Sequence, residues 1–146
     1  TSIPYTNDTN QTIPSLQQVL ELFHRKQKYL FIEIKDKLNT SQIKSLLQLL
    51  SSYDISYMMI SFHLDVLLQM SDYECMWLVD KINKKVIKHI DKLPTKHLGC
   101  NVKYVTQKRL NQSINHGIKI SLWTVNTNQS FWSNQQIQFI TTDHRV

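Results

Sequence analysis

Glycine is scarce in this sequence, with 2 in 146 residues, so most turns fall to Asn, Asp and Ser. Cysteine is scarce too. Cys75 and Cys100 lack metal-type spacing and sit in strand-like surroundings, which fits buried free thiols better than a disulfide. No apolar run approaches the ~18 residues of a membrane span. The first residues show no signal-peptide pattern. Membrane association is therefore expected only through segments outside this chain, and the compartment stays open. No aromatic-plus-basic recognition motif appears either, so nucleic acid is not an expected partner.

What is present is ordinary for a globular protein: 41% hydrophobic and 19% charged residues. Residues 1–146 read as a single domain, with 1–12 as an extended lead-in. The length falls short of the roughly 250 residues of a closed eight-stranded α/β barrel. A formal net charge of +6 makes anionic partners plausible, phosphate-bearing substrates and anionic lipid surfaces among them. Lys81, Lys84, Lys85 and Lys88 read as a solvated helix face.

The pattern alternates between helix and strand. Ser15, with Gln18 three residues on, forms a capping box ahead of Leu16, Val19, Leu20 and Phe23 at helical spacing. Tyr29 to Lys35 is a strand, rich in aromatic and β-branched residues. Asn39 or Thr40 caps a helix with the stripe Ile43, Leu46, Leu47 and Leu50. Strands are expected at Ser56 to Phe62, Cys75 to Val79, Gly99 to Tyr104, Lys119 to Asn126 and Ile137 to Asp143. Helices are expected at His63 to Met70, from Lys85 to Leu93 before Pro94, and from a Thr106 cap through Ile114. Gly117 stands where a left-handed C-terminal residue is wanted. Such alternation with short connections predicts an α/β fold with about six parallel strands.

Alternation along Tyr29 to Lys35 puts Leu30, Ile32 and Ile34 on one face and Tyr29, Phe31, Glu33 and Lys35 on the other. Burying a lone carboxylate is costly, so Glu33 needs Lys35 or a metal beside it. Charge at the end of an edge strand, where it discourages aggregation, is the plainer alternative. Glu33 and Lys35, Ser61, Trp123 and Asn126, and Asp143 all fall at strand C-termini, where parallel α/β folds build their sites. Ser61 and Asp143 serve equally well as hydrogen-bonding residues of the rim or as contacts to a substrate.

The matching stretches are Ile13-Pro14-Ser15-Leu16 with Val19-Leu20, Ile32-Glu33-Ile34-Lys35, Ile60-Ser61-Phe62, Gly117 leading into Leu122-Trp123-Thr124-Val125-Asn126, and Ile140-Thr141-Thr142-Asp143. In order and separation, these stretches resemble the glycerophosphodiester phosphodiesterase family over residues 13 to 143. The resemblance implies a truncated (β/α)8 TIM-type barrel holding the third to eighth strands. It also implies metal-dependent hydrolysis of a glycerol phosphodiester to an alcohol and glycerol 3-phosphate. By the same resemblance, Glu33 is a ligand of a divalent cation, Mg²⁺ or Ca²⁺. Lys35 neutralises phosphate, Trp123 walls the glycerol end of the substrate, and Ser61 and Asn126 are further candidates for contact with it.

The family's His-Arg-Gly, Glu-x-Asp and His-Asp motifs do not occur, and Ser133-Asn134-Gln135-Gln136 replaces its Gly-Val-Asp-Gly approach to the last strand. The acid/base histidines and two of three metal carboxylates are thus missing, so the isolated chain is expected to be inactive. General acid/base catalysis contributes roughly 10²–10⁴-fold in rate, a loss that Glu33 with Lys35 cannot replace. His63, His144 and Asp143 are weaker site candidates. His24, His89, His97 and His116 are expected at the surface. Two open sheet edges would invite a preceding barrel segment or a second copy of the chain. A non-catalytic module binding phosphoglycerol or another anionic polymer is the alternative function.

Overall fold

The computed structural model describes residues 12–128, 131–132 and 135–144. Nearly all of the expected lead-in and residues Ser133-Asn134 lie outside that range. In chain order the elements are α1 (Leu16–Phe23), β1 (Tyr29–Glu33), α2 (Thr40–Ser51), β2 (Ser56–Ser61), α3 (Leu64–Leu68) and β3 (Cys75–Val79). Then follow α4 (Lys84–Ile90), β4 (His97–Asn101), a 3-10 turn (Val102–Tyr104), α5 (Gln107–Asn115), β5 (Lys119–Trp123) and β6 (Ile137–Ile140).

The helix caps form as the sequence dictates. Ser15 and Gln18 make a reciprocal capping box at α1, and Asn39 with Gln42 makes a second at α2. The Thr106 hydroxyl accepts from the Arg109 N–H at α5, and Asn83 caps α4 through the Val86 N–H. Beyond α5 the chain reverses at Gly117, whose φ of 73° is the left-handed geometry that glycine tolerates. The strand expected at Gly99 to Tyr104 begins two residues earlier, at His97, and gives way to the 3-10 turn after Asn101.

The chain divides into two compact units, residues 1–30 with 38–57, and residues 31–37 with 58–146. In the smaller unit, α1 and α2 bury Leu20, Ile43 and Leu50. The turn after α1 is tied to the turn after α2: the Asp54 N–H donates to His24 Nδ1 at 3.0 Å, and the Arg25 N–H donates to the Asp54 carbonyl at 2.9 Å.

In the larger unit, six parallel strands stand in sequence order β1-β2-β3-β4-β5-β6. Paired positions include Ile60 with Met76, Leu78 with Gly99, and Gly99 with Ser121. The four crossovers from β1 to β5 each carry a helix, the arrangement that parallel pairing favours. One face packs on helices of this unit, α3 against β3 and α5 against β5 among them, and is fully buried at Met59, Cys75, Leu98, Cys100 and Ile120. The other face holds the cluster Met58, Met76 and Leu78 with Ile60 and Trp123 against it. On that second face Phe31 of β1 and Phe139 of β6 meet edge to face with ring centroids 5.1 Å apart. Side chains of the first and last strands can touch only if the sheet curls, so this unit is an incomplete (β/α) barrel.

Leu98, at the middle of β4 and wholly buried, tests the packing. Leu98→Ala should cost about 2–5 kcal/mol in urea denaturation, against less than ~0.5 kcal/mol for the exposed Lys85→Ala. Equal midpoints for the two variants would mean that β4 is not central to the core.

Candidate functional site

On the inner face of the sheet lies a cavity of about 280 Å³. Its wall is drawn from the strands and the residues just after them: Phe31 and Glu33, Ile60 and Phe62, Met76 and Leu78, Ser121 and Trp123, and Phe139 and Thr141, with Leu122. The alternate spacing within each pair is the β period, which sends every second side chain to the same face. In β1 the inward residues are also the exposed ones: Tyr29, Phe31 and Glu33 are open while Leu30 and Ile32 are half-buried. Phe31, Phe62 and Phe139 remain 38%, 46% and 36% exposed, so the cavity presents bare aromatic surface.

Glu33 and Trp123 both line this cavity. The indole N–H of Trp123 donates to the Gly99 carbonyl at 3.0 Å, and the Phe62 ring meets the indole edge to face at 5.8 Å. A side chain at position 99 would crowd the same space, since its Cβ would lie 2.7 Å from Leu78 Cδ2 and 3.1 Å from Met76 Sδ. The Lys35 ammonium stands 3.3 Å from the Glu33 carboxylate, with 78% of the lysine side chain and 32% of the glutamate side chain exposed. Such an exposed pair contributes about 0–1 kcal/mol to stability. Its significance is positional, because it sets both signs of charge at the end of an apolar cavity.

The other expected site residues fall elsewhere. Ser61 lies on the helix-facing side, fully buried, where its hydroxyl donates to the Ile34 carbonyl at 2.7 Å and accepts from the His63 N–H at 3.0 Å. It joins the ends of β1 and β2. His63 Nε2 lies 3.1 Å from the Lys35 carbonyl. Asn126 and Asp143 bind each other: the Asn126 amide donates to Asp143 Oδ2 at 2.9 Å, and the Asp143 N–H donates to Asn126 Oδ1 at 3.0 Å. The His144 N–H donates to the Thr142 hydroxyl at 3.1 Å. These contacts fasten the chain beyond β5 to the chain beyond β6. Ser61, Asn126, Asp143, His63 and His144 do not line the cavity.

His97 corrects the sequence reading. Expected at the surface, it is 2% exposed on β4, hydrogen-bonded through Nε2 to the Ser121 hydroxyl at 2.7 Å and stacked with Phe139 at 6.0 Å. Burial, reinforced by the Lys119 charge, pushes its pKa down to about 4, so the ring is neutral at pH 7. Burial also raises the Cys75 and Cys100 thiols to about 12, which keeps both protonated and unreactive.

Among the described residues no three His, Cys, Asp or Glu side chains gather as a metal cluster. Glu33 is the one carboxylate in the cavity wall, and an ammonium is its closest ion-pair partner. These residues alone do not make a metal centre.

With the geometry in view, the likeness to known structures is clear. A protein of Galdieria sulphuraria assigned as a glycerophosphodiester phosphodiesterase superposes over 91% of this chain with a TM-score of 0.74 at 17% identity. The chain carries a partial glycerophosphodiester phosphodiesterase-like fold. A phosphodiesterase of Oleispira antarctica, in complex with its product sn-glycerol 3-phosphate, matches over 90% of the chain with a TM-score of 0.77 at 17% identity. A Silicibacter pomeroyi protein assigned as a glycerophosphoryl diester phosphodiesterase matches over 91% with a TM-score of 0.74 at 16% identity. The match takes in 61%, 58% and 54% of those three chains, so this partial phosphodiesterase-like fold spans little more than half of each. No protein-family model and no curated protein sequence matches the chain.

His97 supplies a pH test. Its folded pKa lies below the ordinary value of about 6.5, so between the two values the unfolded chain binds the extra proton. Stability is then lost as pH falls from about 6.5 to about 4. The loss attributable to this residue should be on the order of 3 kcal/mol. Urea midpoints measured across that range should fall less steeply in His97→Gln than in the parent; identical slopes would place His97 in water.

Proposed function

We propose that this chain forms the phosphoglycerol-holding part of a phosphodiesterase-like barrel, and that the complete protein hydrolyses glycerol phosphodiesters to an alcohol and glycerol 3-phosphate. The observation that carries this reading is the shared cavity of Glu33 and Trp123, with the Lys35 ammonium 3.3 Å from the carboxylate. The indole, held by Gly99 and flanked by Phe62, offers a flat apolar wall to the carbons of glycerol. Lys35 offers a mobile positive charge for a phosphoryl oxygen. The solved complex of the Oleispira antarctica phosphodiesterase with sn-glycerol 3-phosphate supports that choice of ligand.

In the complete site Glu33 would be one ligand of Mg²⁺ or Ca²⁺, the remaining ligands coming from outside the described residues. A divalent cation held there would balance charge on the phosphoryl oxygens. Diester hydrolysis also needs a base for the nucleophile and an acid for the leaving alkoxide. Among the described residues the cavity wall holds one titratable side chain, Glu33. That observation favours the second reading for the isolated chain, a module that binds phosphoglycerol or a related anionic polymer without turnover.

Among the described residues the strand order leaves β1 and β6 with one neighbour each. We propose that a preceding barrel segment, or a second copy of the chain, pairs there. Light scattering of the isolated chain should give a dimer; a folded monomer at every concentration would remove the second-copy reading.

The catalytic reading is tested on the natural gene product that contains this chain, with glycerophosphocholine as substrate and Mg²⁺ or Ca²⁺ supplied. Glu33→Gln should lower turnover by roughly 10²-fold or more, the scale of losing one group that balances transition-state charge. Trp123→Ala should weaken substrate binding. Full activity in Glu33→Gln would refute the assignment; binding of glycerol 3-phosphate with no turnover in the parent would leave the binding module standing.

A further inference from the structure

The net charge of the chain is not evenly spread. Residues 80–119 carry ten Lys and Arg against two Asp, while the remainder carries seven against nine. A forty-residue block thus bears a net +8 on a chain whose total is +6. In the structure that block is α4, β4, the 3-10 turn and α5. Nine of its ten cationic side chains are exposed, Lys96 being half-buried.

Between α4 and α5, on the helix side of the sheet, runs a groove of about 690 Å³ that shares no lining residue with the cavity of the candidate site. Its cations are Lys84 and Lys88, one helical turn apart on α4, and Arg109 near the start of α5, with His116 at the far end. Its one carboxylate, Asp91, is paired with Lys96 at 2.8 Å. Among the described residues no ion pair compensates the Lys84, Lys88 and Arg109 charges within the groove. Lys81 and Lys103 continue the positive field toward the C-terminal ends of β3 and β4, both lying over the Tyr104 ring, at 4.3 Å and 5.8 Å.

We propose that the α4–α5 flank docks this chain on the surface of an anionic phospholipid bilayer. Charge complementarity carries the proposal. The cations are exposed and spread over adjacent helices rather than converging on one buried point, which suits an array of phosphate groups more than a single bound anion. Basic residues held near an anionic leaflet add attraction that fades within a Debye length. Single-stranded nucleic acid fits less well, because its binding sites interleave cations with open aromatic faces. Tyr104, the aromatic residue of this block, has lysine over its ring. The membrane contact would belong to the chain itself, in contrast to the expectation that only outside segments could supply it. It does not depend on the catalytic reading.

The test is co-sedimentation of the chain with phosphatidylcholine vesicles, with and without phosphatidylglycerol as about a third of the lipid. Binding should require phosphatidylglycerol and should vanish as NaCl rises from about 0.1 M to about 0.5 M. Lys84→Glu/Lys88→Glu/Arg109→Glu should lose on the order of 100-fold in affinity, at roughly five-fold or more per cation. Lys26→Glu/Lys28→Glu/Lys44→Glu, with the same change in net charge in the smaller unit, should lose far less; circular dichroism checks that both variants fold. Failure of the parent to bind either vesicle, equal losses in the two variants, or capture by single-stranded DNA without vesicle binding would each overturn the proposal.

Discussion

The bond from the Trp123 indole to the Gly99 carbonyl is the contact on which the inner face of the sheet depends. It joins neighbouring strands through a side chain, and beside it Gly99 leaves the space that Leu78 and Met76 occupy. A bulky residue in the middle of β4 would push Leu78 and Met76 aside, at a cost of about 1–3 kcal/mol for an overpacked core. The scarcity of glycine gives this position weight: of the two glycines in the chain, one ends α5 in left-handed geometry and the other opens the inner face.

From that contact the chemistry of the cavity follows. Its wall is mostly aromatic and aliphatic, with Glu33, Ser121 and Thr141 as the polar side chains, and the Ser121 hydroxyl is already engaged by His97. The His97 ring is neutral at pH 7, so it adds no positive charge to the interior. An apolar wall of this kind accepts carbon and rejects bare charge, because an unpaired ion in a low-dielectric site costs several kcal/mol even after relaxation. A ligand that carries both must divide itself accordingly.

Much of this arrangement was legible in the sequence. Period-two alternation places Glu33 on the face of Phe31, and both line the cavity. The capping boxes at Ser15 and Asn39 and the turn at Gly117 were equally plain, being local chemistry. What escaped depends on pairing between distant strands. His97 follows Lys96 in a polar-looking run, and its burial requires Ser121 to arrive from β5 and Phe139 from β6. Ser61 was readable as a strand end but not as the link between β1 and β2, which needs Ile34 alongside it. The signal for Phe62 and Phe139 was present, since each continues an inward alternation, from Ile60 and toward Thr141.

The division forced on a ligand also fixes where charge must lie. Lys35 has 78% of its side chain in solvent and does not line the cavity, yet its ammonium reaches the Glu33 carboxylate at 3.3 Å. A phosphoryl group approaching from solvent would meet this ammonium before it met the aromatic wall. The same approach brings it toward a carboxylate, and two anions at close range repel unless a cation stands between them. One lysine can serve one of them well or both of them weakly. The single ammonium beside Glu33 is thus already committed to its own carboxylate. On the proposed phosphoglycerol reading, such a site would hold its ligand loosely and would gain affinity only when further positive charge was brought to the carboxylate.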